Sequence, residues 1–176
     1  MKFDLSDFIY SKLRLSESSS IFLEAIIYSV TLLFFLIIIW VIARKILTIL
    51  FVKVSSLTKT KFDDLLIKNK IPSTLAYFPP ILLSIRLFPV ILSDVKVIRE
   101  PIILFMDLIL TFLVISLIRR VLSTLKDFLK TIPNFRDKPI DSYIQVVMIF
   151  VWFVGVMIIF SIISGKDISA FLATLG

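Results

Sequence analysis

Ala25-Ile-Ile-Tyr-Ser-Val-Thr-Leu-Leu-Phe-Phe-Leu-Ile-Ile-Ile-Trp-Val-Ile-Ala43 decides the fold: nineteen consecutive residues carry no charge. As a helix this run reaches roughly 28 Å, enough with its flanks for a hydrocarbon core of about 30 Å. Arg44 and Lys45 close it, and Glu24 stands where it can reach the headgroups at the other end. A membrane span is the reading.

Three further apolar stretches follow. Ile71 to Ser93 is interrupted by Arg86 and holds Pro79, Pro80 and Pro89. Proline removes a backbone donor and crowds the preceding turn, so this span is expected to be kinked or broken. Pro101 to Ile118 contains Asp107 and ends at Arg119 and Arg120, with Pro101 placed to fill a first helical turn. Ser142 to Gly165 is uncharged throughout and has Trp152 mid-span, a packing residue rather than an interfacial anchor. From Ile168 the chain turns apolar again up to Gly176, a reach of only about 14 Å.

The expected fold is therefore all-α, a multi-pass membrane bundle of about four transmembrane helices plus the start of a fifth. A polar or amphipathic tail occupies residues 1–20, the transmembrane helical domain 21–167, and the start of the further helix 168–176. In the tail, Leu5, Phe8, Ile9 and Leu13 lie at helical spacing, which suits either a helix on the membrane surface or a frayed end.

The segment from Asp94 to Glu100 is short enough to make the second and third spans antiparallel neighbours. Arg86 and Asp107 then come to a similar depth, on the order of 10 Å below the loop-side surface. Lone ionised groups at such depth are costly and find partners. The two are expected to face the interior and pair, either simply fixing the hairpin or also serving transport.

Composition agrees with a membrane chain and narrows the chemistry. Hydrophobic residues make up 59%, charged residues 19%, and the mean hydropathy is +1.04, against about a quarter charged for soluble domains. The net charge of +7 does not point to nucleic acid, because the phenylalanines lie within apolar runs and not among the Lys and Arg. With no cysteine and no histidine, disulfides, thiolate chemistry, His-ligated metals and the usual general base are excluded. Asp63-Asp64 reads as a helix start rather than an oxygen-only metal site. The expectation is a protein without catalytic residues, cofactor or metal. Lys2 is followed at once by Asp4 and Asp7, with no cleavage site after the first apolar run, so a secretory leader is not expected.

Basic residues set the orientation. The segment 44–70 holds seven Lys and Arg, and 119–138 holds six, against six on the opposite side with Arg86 set apart. The positive-inside rule places the two long segments in the cytoplasm and both ends of the chain outside. Within them, Leu122, Leu125, Leu129 and Ile132 continue a helical stripe up to Pro133, and Thr60 with Asp63 resembles a capping box. These helices either lie at the inner surface, with their Lys drawn to anionic lipid, or extend into water.

Two stretches carry a family resemblance. Thr60-Lys61-Phe62-Asp63-Asp64-Leu65-Leu66 is similar to the T-x-(aromatic)-D-D-x-L segment of five-span, miniconductance-type relatives of the small-conductance mechanosensitive channel. Lys138-Pro139-Ile140, Tyr143, Gln145-Val146, Gly165-Lys166-Asp167 and Phe171-Leu172-Ala173-Thr174-Leu175-Gly176 resemble that family's motifs in order and spacing. The resemblance implies that Pro139 to Ser164 is the span before the pore and that Leu172, Ala173 and Gly176 open the pore-lining helix. It further implies a homo-oligomer, heptameric as in characterised relatives, in a bacterial inner membrane. Tension would open it to release ions and small solutes during hypo-osmotic shock.

The chain departs from the family in one respect. The family's pore helix is rich in Gly and Ala, whereas this chain has three glycines and stops where that helix would begin. The expectation is thus the peripheral, lipid-facing part of a channel subunit, which alone would not conduct. The competing reading is a free-standing membrane anchor, a sensor module or part of a transporter, although no internal repeat of the transporter kind is visible. Topology is directly testable in this cysteine-free chain. An impermeant maleimide applied to intact cells is expected to label Asp94→Cys and to spare Lys61→Cys and Lys130→Cys; labelling of the latter two would overturn the orientation.

Overall fold

The computed structural model describes residues 17–57, 61–135 and 138–165. The helical stripe of the tail, Thr60, and the pore-helix residues Leu172, Ala173 and Gly176 lie outside the described residues. Among those described there are six α-helices and one 3-10 turn: α1 (Glu17–Leu57), α2 (Lys61–Lys68), α3 (Ile71–Leu75), α4 (Phe78–Ile91), α5 (Lys96–Leu129), the turn Pro133–Phe135, and α6 (Ile140–Ser164). The segments Ser19–Leu57, Ile71–Ile91, Lys96–Leu129 and Ile140–Ser164 are each long and apolar enough to cross a membrane. The chain is an all-α membrane protein.

No glycine or proline falls within α1, and the helix runs unbroken for 41 residues, about 61 Å. The expected span stops at Arg44, yet the helix continues to Leu57. Charges end a membrane crossing because they need water, but they leave helical hydrogen bonding untouched, so span end and helix end do not coincide. The same holds for α5, whose 34 residues reach about 51 Å and carry Arg119 and Arg120 in their interior.

Prolines set the remaining boundaries. In an unbroken helix the N–H groups of residues 79 and 80 would bond to the carbonyls of Leu75 and Ala76. Prolines have none to give, and the helix breaks at Ala76–Tyr77. Pro79 and Pro80 then occupy the first turn of α4, where no N–H is needed. Pro89 lies inside α4, and the second span is broken as the prolines predict. Likewise α5 ends at Leu129, four residues before Pro133, whose missing N–H would have bonded there. Gly165, with φ 64°, caps α6 in the left-handed region where a side chain is strained.

Pro101 corrects the sequence reading. The helix starts at Lys96, so Pro101 sits inside α5 and the turn between α4 and α5 shrinks to residues 92–95. Val95, Ile98 and Ile102 pack against the buried cluster of Ala25, Leu32, Leu36, Phe88 and Leu92, and this apolar contact draws 96–100 into the helix although the segment is charged.

The long segments alternate in direction. Ala25, Leu32 and Leu36 of α1 form one stripe against Phe88 and Leu92, while Trp40 stacks on Tyr77 at 5.6 Å, so α1 and α3–α4 are antiparallel. Each span has only a narrow buried seam, and most large apolar side chains face outward, as they would toward lipid. Between helices in lipid the driving force is close packing, not removal of apolar area from water. The α5–α6 contact illustrates this. At Gly155 an added Cβ would run into Ile115 Cδ1 and lie 3.3 Å from Cγ1. Gly155→Ala is expected to be tolerated by rotation of the Ile115 tip. Gly155→Leu should part the two helices at a cost of about 1–3 kcal/mol, read as a lowered midpoint of thermal unfolding in detergent.

Candidate functional site

Arg86 and Asp107 do not meet. The inward face of α4 is set by Pro80, Ser84 and Phe88, spaced four apart and all buried. Arg86 lies two residues from Ser84 and from Phe88, about half a helical turn off that stripe, and its side chain is exposed. Asp107 is half-buried on α5, and neither residue has an ion pair. The two share a depth but not a face. Equal distance from a hairpin fixes height; the angle around each axis comes from the residues that pack.

The polar interactions concentrate instead at the opposite end, which bears Arg44, Lys45, Arg119 and Arg120. There α2 and α3 wedge between the extensions of α1 and α5. Asp63 and Asp64 occupy the first turn of α2, where a helix favours negative charge, and the Ser55 hydroxyl of α1 donates to Asp64. Phe62 meets Phe128 edge-to-face at 5.2 Å. The residue pattern of α2, apolar at 62, 65 and 66, lets one face dock while its lysines stay in water.

A chain of hydrogen bonds fastens the α2–α3 turn to α5. Arg120 Nη1 donates to the Asn69 carbonyl at 3.0 Å, and Asn69 Nδ2 donates to Asp127 Oδ2 at 3.2 Å. Arg120 and Asp127 are seven residues apart, two turns on one face of α5. Thr124 between them is completely buried, its hydroxyl turned back to the Arg120 carbonyl at 2.9 Å. The turn requires Lys70 at φ 58°, a left-handed conformation costing an ordinary residue roughly 1 kcal/mol. Its carbonyl is held by the Thr74 N–H and hydroxyl, at 3.1 and 3.0 Å.

Two more junctions were not foreseen from sequence. Arg44 lies over the Trp40 ring, 5.5 Å from its centroid, adding a cation to the Trp40–Tyr77 stack. Asp141, at the start of α6, is bridged by Lys126 at 3.4 Å and by Lys130, which ties the two ends of the α5–α6 connection. The signal for the second was present in the four-residue spacing of Lys126 and Lys130. The first depends on where the proline-induced break turns Tyr77.

The chain matches no family model, and no curated protein or solved structure is significantly similar to it. Double-mutant cycles separate the two polar pairs: Asn69→Ala with Asp127→Ala is expected to show a coupling of about 1 kcal/mol in unfolding. Arg86→Ala with Asp107→Ala should show none beyond error.

Proposed function

We propose that the chain forms the peripheral transmembrane helices of a mechanosensitive ion channel subunit, opened by membrane tension to release ions and small solutes during hypo-osmotic shock. The observation that carries this reading is the thinness of the packing. Helix α6 rests on α5 along one seam at Gly155 and leaves Phe150 and Phe153 67% and 59% exposed. On α1, Phe34 and Phe35 are 63% and 56% exposed. A bundle with so little interior meets lipid over most of its surface, which suits helices that transmit tension.

Tension favours whichever state occupies more area in the plane of the bilayer, so it acts through the difference between closed and open packings. The broken second span supplies a joint. The carbonyls of Leu75 and Ala76 lack the two backbone bonds that Pro79 and Pro80 cannot give, and α4 would tilt about that joint against the continuous α5. Arg86, on the outer face of α4, would stand toward headgroups or a neighbouring subunit. The motif order from Lys138 to Gly176 supports homo-oligomerisation, sevenfold as in the family it resembles, in a bacterial inner membrane with the N-terminus outside.

Patch recording from spheroplasts that carry the complete gene product tests the reading. Stepwise currents are expected whose open probability rises with suction, and Arg86→Ala should shift the opening threshold. Currents indifferent to suction, or silent patches from membranes in which the protein is detected, would end the channel assignment.

A further inference from the structure

At the basic end a cavity of about 430 Å3 opens between the α2–α3 turn and α5. Four cations line it, Lys68 and Lys70 from the turn and Arg119 and Arg120 from α5. The rest of its lining is neutral, including the hydroxyls of Ser116 and Ser123, and no carboxylate contributes. None of the four cations is ion-paired. Nothing lining the cavity offsets four like charges brought together, and each raises the cost of the others.

The hydrogen bonding is equally one-sided. The Asn69 carbonyl is taken by Arg120 Nη1, and the Asn69 amide is engaged by Asp127. Arg120 lines the cavity and spends Nη1 on the Asn69 carbonyl, while its Nε is buried without a partner. Lys70 holds a left-handed backbone that glycine would adopt without strain. A lysine there places a charge at the rim where conformation alone would select glycine, and such strain gathers at binding sites.

We propose that this cavity is a binding site for a phosphate-ester anion. Arginine's planar fork matches phosphate oxygens in pairs, and lysine adds charge at a point. Arg119 and Arg120 directly follow the uncharged stretch of α5, which sets the cavity at headgroup level. An apolar groove of about 360 Å3 between α5 and α6 begins at Ile118, beside Arg119, and reaches Leu110. Basic pockets between helices on the cytoplasmic side hold anionic headgroups, while this groove faces α6 and shares no lining residue with the cavity. The inference requires only that the protein sits in a membrane and stands apart from the channel reading.

The test is native mass spectrometry of the detergent-purified protein, titrated with phosphatidylglycerol, phosphatidylcholine and inorganic phosphate. Phosphatidylglycerol is expected to bind at least about tenfold tighter than phosphatidylcholine, with Arg119→Gln and Lys70→Gly each weakening it about fivefold. Lys70→Gly relieves the backbone while removing the charge, so its loss of binding cannot come from misfolding. Arg119→Lys, which keeps the charge but loses the fork, should weaken binding less than Arg119→Gln, and Lys53→Gln, outside the cavity, should leave it unchanged. Displacement by millimolar phosphate supports the site with a soluble ester as its source; resistance to displacement supports it with a phospholipid headgroup held at the membrane surface. Equal binding of the two lipids, undiminished binding in the variants, or an equal loss in Lys53→Gln would overturn the proposal.

Discussion

Inside a bilayer a backbone N–H or C=O without a partner costs several kcal/mol, and this protein is arranged around that constraint. Apolar runs become helices because only a helix satisfies every peptide group within one segment. The same rule marks where the helices stop. Pro79, Pro80 and Pro133 each withhold a donor four residues downstream of a break or an end. Two of these interruptions fall near the basic end, where the Leu129 carbonyl is taken by the Ile132 N–H and Arg120, Thr74 and Thr131 bond the neighbouring carbonyls of Asn69, Lys70 and Phe128.

Packing follows a different logic from that of a soluble bundle. Lipid tails solvate Leu, Ile and Phe as well as another helix does, so there is little to gain by burying them. Helices meet where small side chains let them come close: Ala25 on α1, Ser84 on α4, Thr124 on α5 and Gly155 on α6. Large residues are left to the surroundings. Two ends of unlike character result. The hairpin end is held by interlocked apolar side chains around Leu92 and Phe88, whereas the basic end is held by hydrogen bonds and aromatic contacts among Phe62, Asn69, Arg120 and Asp127.

How much could be read in advance differs between these layers. Four spans, their alternation, the break in the second and the C-terminal limit of α6 at Gly165 follow from runs of hydrophobicity and from proline and glycine. The full lengths of α1 and α5 do not, because Arg44–Lys45 and Arg119–Arg120 mark the edge of the hydrocarbon without ending a helix. Pro101 is misplaced for a related reason: the charged segment 96–100 looks like a loop until Val95, Ile98 and Ile102 are seen packing on the α1–α4 cluster. The pairing of Arg86 with Asp107 failed on azimuth. Their heights were legible by counting, but the direction each faces was not.

Composition and periodicity alone made this an all-α membrane chain and located its crossings, since the free energy of moving an uncharged run into hydrocarbon is a local quantity summed residue by residue. Tertiary structure alone decided which charges are neighbours. Lys68 and Lys70 stand some fifty residues from Arg119 and Arg120, and they converge because an eight-residue helix folds back between two long ones and a left-handed turn at Lys70 aims the chain at α5. Such convergence depends on rotation about helix axes, which is set by the packing of side chains that a linear pattern does not bring together.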